Sequence, residues 1–135
     1  MSKHRSRTRV IGSKSDVETL RSLLSGVIDI VETNFSKSPT DQTSEELIII
    51  AVDLDLLNHI EVCRRIITER PTANVLVWTD SYHATKYHNQ LMRAGARGFC
   101  LTDSARETLI EAVQQVSEGL PFCDPAITAL VKQSP

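Results

Sequence analysis

Cysteine is scarce in this chain, long apolar runs are missing and net charge is almost nil. Each shortage removes a class of protein. Cysteine occurs three times, at Cys63, Cys100 and Cys123. An odd number without C-x-x-C spacing makes neither a disulfide framework nor a zinc site, so free thiols in a reducing cytoplasm are expected. No stretch approaches the roughly 18 apolar residues of a membrane span. The basic, polar start has no apolar run behind it, so no signal peptide is expected either. Lys and Arg number 15 against 17 Asp and Glu, a formal net charge of −2, so no overall field draws the chain to nucleic acid or to a membrane. A phosphate loop of the G-x-x-x-x-G-K type is also absent.

What is present is organised around Leu47-Ile48-Ile49-Ile50-Ala51-Val52-Asp53. A continuous β-branched run without polar alternation marks a strand covered on both faces, as in the middle of a parallel sheet. In such sheets chemistry gathers beyond the carboxyl ends of the strands.

The other elements are read around this run. Arg7–Ser13 is a first strand, and Ser15–Ser25 a helix with a Ser15/Glu18 capping box, ended by Gly26. Residues 27–31 are a second strand. Asn34–Ser44 is almost wholly polar and reads as a loop. A helix capped by Asn58 runs to about Arg70, Asn74–Thr79 is a strand, and a helix spans about Ala84–Ala94. Gly98–Leu101 is the fifth strand. A last helix starts at a Ser104/Glu107 capping box, buries Leu109, Val113, Val116 and Leu120, and ends at Gly119. The 135 residues make one domain: a basic tail at 1–6, holding Lys3 and Arg5 of a cluster continued by Arg7 and Arg9, the domain at 7–120, and a tail or short helix at 121–135. Strands alternating with helices give an α/β flavodoxin-like, doubly wound, five-stranded parallel sheet in the order 2-1-3-4-5.

Three stretches then carry a family resemblance. Leu91–Pro125 (LMRAGARGFCLTDSARETLIEAVQQVSEGLPFCDP) resembles the last third of a response-regulator receiver domain of the NarL/FixJ type, with its A-G-A-x-G and G-x-x-x-x-D-P patterns. Leu54–Ile66 is similar to the segment after the family's phosphorylated Asp, and Asn74–Thr79 to its fourth strand. The resemblance implies a CheY-like fold in a two-component signalling protein, and Asn34–Ser44 implies that its second helix is shortened or missing.

A receiver phosphorylates itself with an acid pair holding Mg²⁺, an Asp nucleophile and a Lys. This chain departs at each place. Gly12 and Ser13 stand at the acid-pair positions, and Thr102 at the lysine. A gap-free alignment puts Ala51 at the nucleophile, and Asp53 reaches that place only if two loop residues are deleted. Thr79 and Phe99 match the switch pair. The resemblance therefore implies a degenerate pseudo-receiver: no enzyme, no catalytic residue, no metal, no cofactor. Its partner would be a protein, a homodimer included, met through a face holding Tyr87, Leu91, Arg97, Arg106 and Glu111. Alternatives left open are a phosphorylatable regulator using Asp53, and a DNA-binding NarL-type fragment relying on the basic arm. His83 and His88, five apart, do not share a helical face and do not form a metal pair.

Overall fold

The computed structural model describes residues 7–12, 14–27, 29–32, 47–51, 56–69 and 73–133. The strands are β1 (Arg7–Ile11), β2 (Asp29–Glu32), β3 (Leu47–Ala51), β4 (Asn74–Thr79), β5 (Gly98–Leu101) and β6 (Phe122–Cys123). The helices are α1 (Lys14–Leu23), α2 (Leu56–Glu69), α3 (Ser81–Ala94), α4 (Arg106–Ser117) and α5 (Pro125–Gln133). The strands form one parallel sheet in the order β2-β1-β3-β4-β5-β6.

The central strand shows why its sequence does not alternate. Ile48 and Ile50 point into one core cluster with Cys63, Ile66, Leu91, Phe99 and Ile127. Leu47, Ile49 and Ala51 point into a second with Val17, Leu20, Leu24, Leu109, Val113 and Val116. Helices α2, α3 and α5 cover the first side of the sheet and α1 and α4 the second. Every position of β3 and β4 is buried, and the two polar residues of these strands, Asn74 and Thr79, stand at the ends of β4.

The expected five-stranded order holds for the first five strands, and β6 extends it by one. Phe122 and Cys123 pair with Gly98 and Phe99, and α5 folds back so that Ile127 is fully buried beside Phe99 and Leu91. Residues 122–133, expected as a tail or short helix, thus join the sheet and the core. Two apolar residues are too short a run to announce a strand; pairing with β5 makes them one. The polar Asn34–Ser44 stretch, and with it the expectation of a shortened or missing helix, lies outside the described residues.

Helix ends also differ from the sequence reading. Lys14 opens α1 and Leu56 opens α2, so Ser15 and Asn58 lie inside the first turns rather than before them. Ala105, whose side chain makes no capping bond, sits at the cap of α4. Leu120, expected inside, is 49% exposed. It follows Gly119 (φ +84), whose N–H donates to Val116 O while that of Leu120 donates to Gln115 O, at 2.9 Å each. This left-handed termination turns the chain away from the core. Gly95, at φ +116, closes α3 where a Cβ would stand 2.5 Å from Ile67 Cγ1, so only glycine fits.

Candidate functional site

The strand order reverses between β1 and β3, where ligand sites of doubly wound sheets form. Ala51 is the last residue of β3 and lies opposite Trp78. Gly12 follows β1 directly beside it: a Cβ at Gly12 would stand 2.8 Å from Ala51 Cβ and 3.4 Å from Asp16 Oδ2. Thr79 ends β4, fully buried. Thr102, just past β5, is exposed, and its N–H donates to Thr79 O at 2.9 Å. The structure thus brings Gly12, Ala51, Thr79 and Thr102 to one end of the sheet. Ser13 and Asp53 lie outside the described residues, so the Asp53 alternative stays an expectation.

The receiver fold implies Mg²⁺ here, and the described residues do not fit it. A hard dication wants several oxygens, carboxylates among them. Gly12 and Ala51 offer no side-chain oxygen and approach too closely for one to be added. Asp16 on α1 is the described carboxylate beside Gly12. Thr102, just past β5, brings a hydroxyl and no charge. Among the described residues no group of three His, Cys, Asp or Glu could hold a metal ion.

Phe99 lies on the sheet face of Val75 and Val77, packed with Leu91 and Ile127. Along β4, Thr79 shares the parity of those two valines. The ring of half-buried His88 stands over Phe99, with centroids 4.6 Å apart and planes at 41°. The side chain of His83 lies outside the described set.

The proposed contact residues divide. Arg97 and Glu111 are exposed, and Tyr87 is half-buried. Arg106 is exposed but committed: Nε donates to Leu23 O at 2.7 Å and Nη2 to Ser25 O at 3.3 Å, at the end of α1. Leu91 is completely buried. It is core and offers no contact surface, because it sits on the sheet-facing side of α3 with Ala84 and Ala94.

Asp124 entered the sequence reading only as the acid of the G-x-x-x-x-D-P pattern and the start of the short C-terminal helix. It is 98% removed from solvent. Oδ2 accepts hydrogen bonds from Leu101 N at 3.0 Å and from Ser104 Oγ, and Oδ1 accepts one from Ala126 N at 3.0 Å. Burial alone would raise this carboxyl; the bonds from Ser104, Leu101 and Ala126 outweigh it and hold the group below the usual carboxylate range. One side chain therefore caps α5 and fixes the β5–α4 loop that carries Thr102. Asp followed by Pro, a cap and a first helical residue, was the signal that could have found it. Ser104, expected to cap α4, is spent on Asp124 instead.

No family model matches the chain. The transcriptional regulatory protein DegU of Brevibacillus brevis is 26% identical over 88 residues, 65% of this chain. The chain spans 37% of that relative's length. Among solved structures, a LuxR-family two-component response regulator from Aurantimonas superposes with a TM-score of 0.73 at 16% identity, over 95% of this chain and 96% of that one. A structure of RcsB dimers bound to DNA gives 0.74 at 13% identity, over 97% and 69%. The chain carries the receiver fold, and its sequence resembles response regulators of the NarL/LuxR type.

Proposed function

We propose that this chain is a pseudo-receiver, a non-enzymatic module of signal transduction or transcriptional regulation that works in the cytoplasm by protein contact, independently of phosphorylation and without a cofactor. The observation that carries the reading is Ala51 at the carboxyl end of β3, against Gly12 and with Thr102 beyond β5. Phosphoryl transfer is almost wholly positioning and charge neutralisation, and among the described residues Gly12, Ala51 and Thr102 supply no side-chain charge at these strand ends. The curated relative bears the name of a transcriptional regulator, and a structural relative forms dimers on DNA, which supports a regulatory role exercised through contacts. Arg97, Arg106 and Glu111 are the exposed members of the proposed contact face, Arg106 being held on the carbonyls of Leu23 and Ser25, with Tyr87 partly exposed.

Incubation with acetyl phosphate and Mg²⁺, read by intact mass, tests this. No adduct is expected, and no saturable amide shifts around Thr79 and Phe99 on titration with beryllofluoride. A phosphoryl adduct that disappears in Asp53→Asn would overturn the reading and make Asp53 the acceptor.

A further inference from the structure

Helix α3 covers the sheet through Ala84, Leu91 and Ala94 and turns another line of residues to solvent. Tyr82, Lys86, Asn89 and Arg93 recur at the i, i+4, i+7, i+11 spacing of one helical line, and all four are exposed. The line is about 16 Å long at about 1.5 Å per residue. Lys86 and Arg93 make no ion pair among the described residues. No Asp or Glu occurs from Ser81 to Thr102, where Lys86, Arg93 and Arg97 stand. The net charge of −2 therefore hides a local excess of cations. The exposed acids Glu107, Glu111 and Glu118 belong to α4 and its end, on the opposite side of the sheet.

One end of the line is already assembled. Lys86 Nζ donates to the Tyr82 hydroxyl at 3.1 Å and stands 5.4 Å from the centroids of both the Tyr82 and the Tyr87 rings. The ammonium and the Tyr82 ring thus hold each other in place, and Tyr82 is still 62% exposed. A cation and a flat aromatic face are set side by side before any ligand arrives, which lowers the ordering cost of binding.

We infer that this line is a binding site for a short stretch of single-stranded nucleic acid. An unpaired base stacks on the Tyr82 ring, and Lys86 and Arg93 take phosphates on either side of Asn89. Every base has a π-face, so a ring with cations beside it takes single strands without reading sequence. At about 3.4 Å per stacked nucleotide the line spans about five of them. A duplex keeps its base faces stacked on one another and offers the ring nothing. A partner helix would need apolar anchors at this spacing, and the line holds one ring and no aliphatic side chain. The inference goes beyond the reading of the chain as a protein-contact module and does not depend on it.

Fluorescence anisotropy of the full chain with fluorescein-labelled dT10 and U10 tests it. Binding is expected at about 0.05 M salt, and affinity should fall with salt at a log–log slope of about −1.4, two phosphates at about −0.7 each. Lys86→Gln and Arg93→Gln should each halve that slope. Tyr82→Ala should weaken binding about tenfold at an unchanged slope, and Tyr82→Phe, which keeps the ring, should recover most of that loss. Glu111→Gln, on the far side of the sheet, should change affinity by less than about twofold. K3S/R5S should bind as the wild type does. Circular dichroism confirms that each variant is folded, as expected for changes at the exposed Tyr82, Lys86, Arg93 and Glu111.

No anisotropy change at low salt overturns the inference. So does binding that Tyr82→Ala leaves undiminished, or a same-length duplex or poly-glutamate competing as well as unlabelled dT10, since each would reduce the site to unspecific charge. Binding lost in K3S/R5S but kept in K86Q/R93Q would place the contact on the basic arm and overturn it as well. A preference between U10 and dT10 keeps the inference and names the source of the strand. Labelling by acetyl phosphate bears on the pseudo-receiver alone, so the two readings fail separately.

Discussion

Asp124 shows how one buried carboxylate ties two segments of a small domain. Its oxygens receive the Leu101 and Ala126 amides and the Ser104 hydroxyl. Asp124→Ala leaves a buried donor at Leu101 unmet and removes the α5 cap, for an expected loss of about 1–3 kcal/mol in urea unfolding at neutral pH. The pH dependence follows from the direction of the shift. A carboxyl held below its ordinary value adds stability above the unfolded pKa of about 4, and that increment disappears as pH falls through the lower folded value. The difference in unfolding midpoint between the wild type and Asp124→Asn should therefore shrink as pH is lowered below about 4. A constant difference would show that the ionised form is not what stabilises. Gly12 gives the converse case, where adding atoms is harmful. Gly12→Ala forces a methyl to 2.8 Å from Ala51 Cβ, and overpacking of this kind costs about 1–3 kcal/mol. Thermal unfolding should register it, and Gly12→Asp should be no milder while conferring no tight Mg²⁺ binding. At this scale the places of Ala51, Thr79 and Thr102 along the chain were legible, because strand ends fix them; their roles remain part of the proposal. For Asp124 the following proline signals the helix cap, but its bonds to Leu101 and Ser104 span 23 and 20 residues and no local pattern reveals them.

Elements were legible where their residues are self-sufficient. Strands β4 and β5 occupy the expected residues, since an uninterrupted apolar run bounded by polar or glycine residues leaves little freedom. Helix starts were less so. A Ser or Asn followed by Glu suits a cap, yet Ser15 and Asn58 lie inside their helices and the Ser104 hydroxyl goes to Asp124. Strand β6 was the largest omission, because Phe122 and Cys123 become a strand only when β5 presents its edge, and the short helix expected after it gave no sign of docking on the core. The consequence is that α5 belongs to the stability of the domain. Ile127→Ala opens a cavity against Phe99 and Leu91 and should lower unfolding free energy by about 2–5 kcal/mol, whereas Ala126→Ser on the exposed side should change it by well under about 1 kcal/mol. Equal effects of the two substitutions in chemical denaturation would mean that α5 does not dock.

At the scale of the whole molecule, a single sheet separates two apolar clusters, and each holds one cysteine. Cys63 lies on the side covered by α2, α3 and α5, Cys100 on the side covered by α1 and α4. Burial pushes the Cys63 thiol up to about 11 and, with the nearby Asp124 charge, the Cys100 thiol up to about 12. Neither supplies thiolate at neutral pH in the folded state. Cys123, exposed on β6, should react with a thiol reagent at once. The two buried thiols should react only through opening, and their rates then report the two sides independently. Because β3 and β4 contribute alternate residues to both clusters, neither side can come apart while the sheet stays packed on the other without exposing half of each strand. Cys63 and Cys100 should therefore become labelled with the same denaturant dependence, as in a cooperative domain. Mass spectrometry of partially labelled protein distinguishes the cases. Species carrying both labels, with few carrying only one, would show a single opening unit. Early labelling of Cys63 alone would mean that the α2, α3 and α5 side detaches as a separate unit, and the sheet would then join two modules of unequal stability.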